Sequence, residues 1–367
     1  MLKRSPLHDL HVELGAKFTE FSGYEMPLYY SSIKDEHLTV RKNVGLFDVS
    51  HMGNVWISGR DGADLLSVAT VEDANRIPVG MGQYTVILRE DGTIIDDTIF
   101  LHLEDGFMLI PNAGRDEIVT DWLRKIRDRF GFDAEIENIS GNTAILAIQG
   151  PRSREVLQKI SSIDLSQLKL FGCCRAEFEG VECIVSRTGY TGELGYELQV
   201  DIEKDVHDLF MKILEIGKDC GIKPIGLGAR DSLRLEKCFV LAGNEFEGGR
   251  TPVEANLSFT INWDHDFIGK DALLRQKEEG VKERLTYLKC VERGIPRHGY
   301  DVEKDGKKVG KVSSGGLSPC LNTGIAMAYV KAEYRKVGDF LDIVIRGKRV
   351  KAEIVKPPFV GKECGNI

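Results

Sequence analysis

Apolar residues recur at helical spacing in three parts of the chain. Apolar side chains three or four positions apart favour amphipathic helices, because such positions share one face of a helix. This pattern predicts helices over residues 61–70, 115–130 and 205–220. In the second helix, Gly131 predicts the end. The predicted buried stripe of that helix consists of Ile118, Trp122, Leu123 and Ile126.

Short apolar runs predict strands in other parts of the chain. The segments that flank Asp91-Gly92, a strong hairpin signal, form one predicted pair, and 181–187 with 196–200 form a second. After residue 276, a charged stretch is interpreted as a linker or a solvated helix. The strand-like runs that follow it, separated by turn residues, predict a small all-β domain. Because no βαβ unit repeats, the α+β class fits better than a doubly wound sheet.

The composition excludes several classes of protein. The 367 residues include 49 Lys and Arg against 57 Asp and Glu, and this net charge of −8 argues against nucleic-acid binding. Hydrophobic residues make up 42% of the chain, which is enough for a core in each of two or three domains. No apolar run reaches about 18 residues, and the start lacks a secretory signal. We therefore expect no membrane span and a cytoplasmic location.

The cysteines and the common catalytic motifs add further exclusions. Eight Cys are spread over a long acidic chain, which indicates reduced thiols and not a disulfide framework. No pair has the spacing of a structural zinc site, and Asp264-His265-Asp266 is interpreted as a solvated loop. We expect no metal. The chain also lacks a phosphate-binding loop and a nucleophile elbow.

Asp96-Asp97 is the first of three polar clusters that lie among apolar residues. Strand alternation predicts that the two carboxylates point to opposite faces. One is expected in solvent and the other on the side of Ile95 and Ile99, towards the interior. A buried carboxylate needs a partner or a shifted pKa. The pair is therefore either a functional group or a turn-side cap.

The second cluster is the segment 187–198, in which Gly189, Gly192 and Gly195 are three residues apart. This spacing predicts a backbone that closely approaches another group. The two tyrosines and two glutamates of the segment could hold a flat, nitrogen-rich ligand, since rings stack and a carboxylate accepts paired N–H donors. A tight hairpin with incidental aromatic residues is the alternative.

The third cluster is the segment 226–236. Read as a helix, it places Arg230 and Arg234 on one side, with Asp231 three positions before Arg234. Such spacing usually indicates solvent-exposed salt bridges. Because the helix also carries leucines, the two arginines could instead form a clamp for an anion or a carboxylate.

Taken in order, these clusters resemble the glycine cleavage system T protein (aminomethyltransferase) family over about residues 7–360. The segments that carry the resemblance are LHDLHVELGAKFTEFSGYEMPLYY, VRKNVGLFDVSHMG, DGTIIDD, GYTGELGYEL, GLGARDSLRLE, TPVEANLSFTINW and FIGKDAL. The resemblance implies a three-part cloverleaf around a central folate channel, with a C-terminal all-β domain. It implies two interleaved subdomains in 1–275, with an inset at roughly 52–137, and a barrel-like domain in 276–367.

The resemblance also implies a reaction and its residues. An aminomethyltransferase of this family moves a methylene group from the aminomethylated lipoyl arm of the H protein to tetrahydrofolate, or a related reduced pterin, and releases ammonia. By motif match Asp97 is the catalytic carboxylate, with Asp96 as the alternative. The matches to folate-binding and channel-lining positions are Glu197, Arg230, Tyr84, Asn112, Tyr190 and Met52. The candidates for carrier contact are Arg293, Arg297 and Lys362.

Two departures and two alternatives accompany this resemblance. Lys362 stands where many relatives carry an arginine, and 261–269 carries acids where relatives often carry lysines, which bears on carrier docking.

A stand-alone folate-dependent demethylase of a small amine or sulfonium compound would use the same channel. A non-enzymatic iron–sulfur assembly factor is the other alternative, but LEKCFVLAGNEF lacks the full segment of those factors.

Overall fold

The computed structural model describes residues 2–361, and the chain packs as two compact units. The first unit comprises Met1–Ile87, Ile95–Arg230 and Asn262–Ile268. The second comprises Leu88–Ile94, Asp231–Ile261 and Gly269–Ile367. Within the described chain, no helix is long and apolar enough to cross a membrane.

Three sheets form the first unit. Their strands are β1 (Lys3–Arg4), β2 (Lys17–Phe21), β3 (Tyr24–Tyr29), β4 (Gly45–Asp48), β5 (Val55–Ser58), β6 (Met81–Leu88), β7 (Ile94–Leu103), β8 (Gly106–Ile110), β9 (Glu135–Asn138), β10 (Thr143–Gln149), β11 (Cys173–Phe178), β12 (Val181–Ser186), β13 (Gly195–Asp201) and β14 (Lys223–Ile225). The strand orders are β1-β3-β2, β11-β12-β13-β10-β4-β14 and β6-β7-β8-β5-β9. We call the last two the six-stranded and the five-stranded sheet.

Helices lie between and after these strands along the chain, and the last of them continues from the first unit into the second after Arg230. They are α1 (His8–Glu13), α2 (Ile33–Lys42), α3 (Gly62–Ala69), α4 (Asp116–Phe130), α5 (Ser153–Leu157), α6 (Val206–Ile216) and α7 (Leu227–Glu236). The three predicted helices correspond to α3, α4 and α6. Gly131 ends α4 with φ at +69°, as predicted. The predicted stripe of α4 is wrong at Ile118, which is 45% exposed, because Val119 fills the buried position in its place.

Three apolar clusters occupy the faces of the two large sheets. One face of the six-stranded sheet packs with α1, α5 and α6, and one face of the five-stranded sheet packs with α3 and α4. A third cluster draws on strands of both sheets, and we call it the inter-sheet layer. Its members are Leu101, Leu103, Met108, Cys173 and Ile184, with Trp56, Ile99, Ile110 and Ile139 packed against them.

The second unit contains the C-terminal barrel. Its strands are β15 (Glu283–Cys290), β16 (Asp301–Lys304), β17 (Lys307–Ser318), β18 (Thr323–Lys331), β19 (Phe340–Ile345) and β20 (Lys348–Val355). They close in the order β15-β18-β17-β16-β19-β20. The unit also contains α8 (Ala242–Glu245) and α9 (Lys270–Glu279). Helix α9 covers the start of the charged stretch that was interpreted as a linker or a helix.

The α+β class and the C-terminal all-β domain are therefore confirmed. The cloverleaf around a channel stays a prediction. So does the division at residue 275 with an inset at roughly 52–137.

Candidate functional site

Asp96 and Asp97 share a single amide partner, Asn112. The Nδ2 atom of Asn112 lies 2.9 Å from Oδ1 of Asp96 and 2.8 Å from Oδ1 of Asp97. The backbone N–H of Asn112 donates to Oδ2 of Asp96 at 2.8 Å. Asn112 follows β8, which neighbours β7 in the sheet. One side chain on the adjacent strand end therefore orients both carboxylates.

The expectation that one of these carboxylates lies in solvent is wrong. Asp96 is fully buried and Asp97 is 9% exposed. The face assignment also fails, because Ile95 and Ile99 belong to different clusters. Ile95 packs with Phe100 on the side of α3 and α4, whereas Ile99 packs on the inter-sheet layer. Strict alternation is thus broken between residues 95 and 99, which lets neighbouring carboxylates approach one amide.

The hydroxyl group of Tyr84 completes this cluster. Its Oη atom donates to Oδ2 of Asp97 at 2.8 Å. Burial, and then the charge of Asp97, raise the pKa of Tyr84, so the phenol keeps its proton. Burial, and then the same negative charge, raise the pKa of Asp96 to about 8. Asp96 therefore favours its protonated form more than a free carboxyl group does.

Two of the three closely spaced glycines, Gly189 and Gly195, lie against the side chain of Gln149. A Cβ atom on Gly189 would lie 2.0 Å from Oε1 of Gln149, and one on Gly195 would lie 2.3 Å from Nε2. Gln149 is 1% exposed and accepts a hydrogen bond from Thr191 at 3.0 Å. The close approach predicted from the glycines is therefore, at these two positions, an approach to Gln149.

Glu197 is oriented by two hydroxyl groups. Thr188 donates a short hydrogen bond to Oε2 of Glu197, and Ser186 is bonded to Thr188 at 2.6 Å. Ser186 and Glu197 also face each other directly in the β12–β13 pair. Both hydroxyl-bearing residues are buried. One oxygen of the Glu197 carboxylate is thus fixed by a hydrogen bond from Thr188.

Arg230 lies over the ring of Tyr190, with its guanidinium carbon 4.7 Å from the ring centroid. Burial lowers the pKa of Arg230, and the charges of Glu197 and Tyr190 oppose that shift. Tyr190 also contributes to the raised pKa of Tyr84. The pKa of Tyr84 and the pKa of Arg230 thus both respond to Tyr190.

Asp97 lies on a strand of the five-stranded sheet, and Glu197 lies on a strand of the six-stranded sheet. Asp97 is two residues before Ile99 on β7, and Ile99 packs against the inter-sheet layer. Glu197 opposite Ser186 is two residues along from the pair Gln199–Ile184, and Ile184 belongs to that layer. Glu197 therefore projects from the face of the six-stranded sheet that carries the inter-sheet layer.

Other predicted residues have different surroundings. Met52 is partly buried, while Arg293 and Arg297 are exposed on the loop between β15 and β16. Lys362 lies outside the described residues. His265 bonds two backbone carbonyl groups, those of Asn262 and Ser67, at 2.9 and 3.2 Å.

The solvent-exposed interpretation of Arg234 is wrong. Its side chain is 1% exposed and pairs with Asp231 at 2.7 Å and with Glu245 at 3.3 Å. Its Nη2 atom also donates to Ser314 at 2.9 Å. Arg234 is therefore a buried structural residue of the second unit and not part of an anion clamp with Arg230.

Comparisons with known proteins identify the family of this chain. Residues 7–265 match the family model described as the GCVT N-terminal domain, and residues 283–361 match the glycine cleavage T-protein C-terminal barrel domain. The chain belongs to the glycine cleavage T-protein family. An aminomethyltransferase of Halothermothrix orenii is 42% identical over 361 residues, covering 98% of this chain and 100% of the relative.

Further relatives extend the comparison to archaea and to a solved structure. A probable aminomethyltransferase of Thermococcus kodakarensis is 42% identical, covering 98% of this chain and 97% of the relative. The crystal structure of glycine cleavage system aminomethyltransferase T from Bartonella henselae has a TM-score of 0.91 at 33% identity. It covers 98% of each chain. The family therefore extends over both units of this protein.

Sequence reasoning missed three residues beside the site: Gln149, Thr188 and His51. Gln149 carries no local signal, since its contacts lie 39 to 47 positions away along the chain. Thr188 stands within the glycine-rich segment, where the partly buried carboxylate of Glu197 needs a donor. His51 is 3% exposed, and burial followed by the charge of Arg230 lowers its pKa to about 3.

Proposed function

We propose that this protein is the aminomethyltransferase of a glycine cleavage system, with tetrahydrofolate as co-substrate. The reaction transfers a methylene group from an aminomethyl-lipoyl carrier and releases ammonia. The observation that carries the proposal is the buried carboxylate of Asp97, which Tyr84 and Asn112 each contact at 2.8 Å, together with the guanidinium group of Arg230 over the ring of Tyr190. Membership of the T-protein family supports the same reaction.

Asp97 is the proposed catalytic residue. The donor becomes reactive as its amine leaves and positive charge develops on the methylene carbon. A fixed carboxylate stabilises that charge and accepts the proton that the folate nitrogen loses. Tyr84 and Asn112 hold the two oxygens of Asp97 at 2.8 Å each, so the carboxylate is preorganised.

Asp96 has a different proposed role, which its raised pKa supports. A neutral Asp96 beside an ionised Asp97 avoids two adjacent negative charges in a buried site. It also keeps Asn112 in place, because both of its oxygens accept from that residue. Asp96 is therefore a positioning residue in this proposal, and it remains the alternative to Asp97 as the catalytic carboxylate.

Glu197, Arg230 and Tyr190 are the proposed binding residues for the pterin. A pterin has a flat ring with adjacent N–H donors, and a carboxylate pairs with such an edge. Glu197 has one oxygen bonded to Thr188, and Arg230 with Tyr190 adds a stacked, positively charged surface. Tyr84, Asn112 and Met52 complete the proposed list of lining residues. This set fits a reduced pterin.

The proposed partner is a lipoylated H protein. Arg293 and Arg297 are exposed and could contact a carrier of complementary charge, and Lys362 is proposed with them on sequence grounds. A cytoplasmic location is part of the same proposal, in keeping with free thiols at the seven described cysteines.

The test is ammonia release from aminomethylated H protein, measured with and without tetrahydrofolate. We expect fast release with formation of methylenetetrahydrofolate only when both substrates are present. Absence of release from the loaded carrier, together with demethylation of a free amine or sulfonium compound, would overturn the proposal in favour of a stand-alone demethylase. Capture of lipoylated carrier by the purified protein checks the partner separately.

A further inference from the structure

Two carboxamide side chains lie in the apolar inter-sheet layer without protein partners. Asn54 is fully buried and Gln199 is 3% exposed. Among the residues that the structure describes, neither the nitrogen nor the oxygen of either side chain has a hydrogen-bond partner. Burial of an amide without hydrogen bonds is costly, and native proteins nearly always satisfy such groups with protein or ordered water.

The orientation of Gln199 follows from its strand. In the six-stranded sheet Gln199 pairs with Ile184 on one side and with Ile145 on the other. Residues directly opposite each other in a sheet project to the same face. Ile184 belongs to the inter-sheet layer, so the carboxamide of Gln199 points into that layer.

The orientation of Asn54 follows from two independent relations. Asn54 is two residues before Trp56, which packs against the inter-sheet layer. The backbone carbonyl group of Asn54 also accepts a hydrogen bond at 2.9 Å from the backbone N–H of Ile139, which places the backbone of Asn54 beside a second residue that packs against the layer. The two carboxamides therefore enter one apolar layer from opposite sheets.

This position is directly adjacent to the proposed substrate site. Gln199 is two residues beyond Glu197 on the same face of β13, a step of about 7 Å. Asn54 follows Gly53, whose N–H donates to the carbonyl of Pro111 at 2.8 Å, and Pro111 precedes Asn112. Each carboxamide thus lies one step inward from a residue of the site.

We propose that Asn54 and Gln199 form a buried water-binding site that is the floor of the pterin site. Four unpartnered donor and acceptor atoms suit ordered water, which makes two to four hydrogen bonds when buried. In this proposal the water contacts the bound ring beside Glu197. The water site stands on the geometry alone, whereas its effect on substrate rests on the proposed function.

The first experiment is a crystal structure of the full chain at a resolution that shows ordered water. We expect water within hydrogen-bond distance of both carboxamides. A layer in which the two side chains instead bond each other or other protein groups would overturn the proposal. This arm requires no substrate, so it decides the water site even if the proposed function fails.

The second experiment measures the Kd for tetrahydrofolate in the double variant Asn54→Leu and Gln199→Met. These near-isosteric changes keep the layer apolar, and loss of the water contacts is expected to weaken binding about tenfold. The matched control is Thr85→Val. Thr85 also has a buried hydroxyl without a partner in the described chain. It lies two residues from Ile87, on the face of the five-stranded sheet that packs with α3 and α4 and not on the inter-sheet layer. An unchanged Kd for tetrahydrofolate in a folded double variant would overturn the proposal that this water site supports the bound pterin.

Discussion

Removal of one hydroxyl group, in Tyr84→Phe, tests whether Asp97 must be held in place to act. Tyr84 donates to Oδ2 of Asp97 at 2.8 Å, and its raised pKa keeps the phenol protonated through the working pH range. Phenylalanine preserves the ring and its place beside Tyr190. The substitution therefore removes the hydrogen bond while leaving the shape of the site nearly unchanged.

The expected magnitude follows from the type of hydrogen bond. A hydrogen bond to a charged group contributes about 1.5–3 kcal/mol, and each 1.36 kcal/mol is about tenfold in rate. Asn112 still donates to the other oxygen of Asp97 at 2.8 Å, so the carboxylate keeps part of its orientation. We expect kcat to fall about 10- to 100-fold, with the Kd for tetrahydrofolate within about threefold of the original value.

The assay is single-turnover formation of methylenetetrahydrofolate from aminomethylated H protein, with binding measured separately. Tyr30→Phe is the matched control, because Tyr30 is also largely buried and loses a bond of 2.9 Å to His11. That control is expected to lower stability and leave kcat unchanged. If Tyr84→Phe retains full kcat, orientation of Asp97 by this hydroxyl group is refuted.

Three other substitutions follow from the same geometry. Thr188→Val is expected to weaken tetrahydrofolate binding by about tenfold while Thr188→Ser retains it, because only a hydroxyl can hold Glu197; equal Kd values would contradict this. Gly195→Ala places a Cβ atom 2.3 Å from Gln149, so lower thermal stability and weaker binding are expected together. In the folded protein, Asp96 keeps its proton up to about pH 8. In the unfolded chain, the same carboxyl group loses its proton above about pH 4. The free energy of unfolding should therefore fall as pH rises from about 4 to about 8, and denaturant titrations of Asp96→Asn should lack that slope.

Local signals account for the elements that the sequence predicted well. The Asp91-Gly92 turn, with Gly92 at φ +80°, joins β6 to β7 as expected. Gly131 ends α4, and the alternating runs after residue 276 close into a barrel. Strand β16 (Asp301–Lys304) carries a single apolar residue in four, and no local pattern distinguishes it from a loop.

The parts of the site that could not be predicted depend on long-range packing. Alternation predicted opposite faces for Asp96 and Asp97, but the strand is irregular there and one amide from the next strand contacts both. The close approach at the glycine-rich segment was correctly inferred, yet its partner, Gln149, comes from another strand. Sequence spacing identifies a constraint of this kind, whereas only the fold identifies the group that imposes it.

Turnover and binding in Asp97→Asn test the central claim most directly. The variant keeps the size of the side chain and removes its charge. With aminomethylated H protein as donor, we expect turnover to fall by about 10²–10⁴-fold, while the Kd for tetrahydrofolate, set by Glu197 and Arg230, stays within about threefold. Turnover equal to that of the unmodified protein would contradict the account, because no carboxylate at this position would then be required for the reaction.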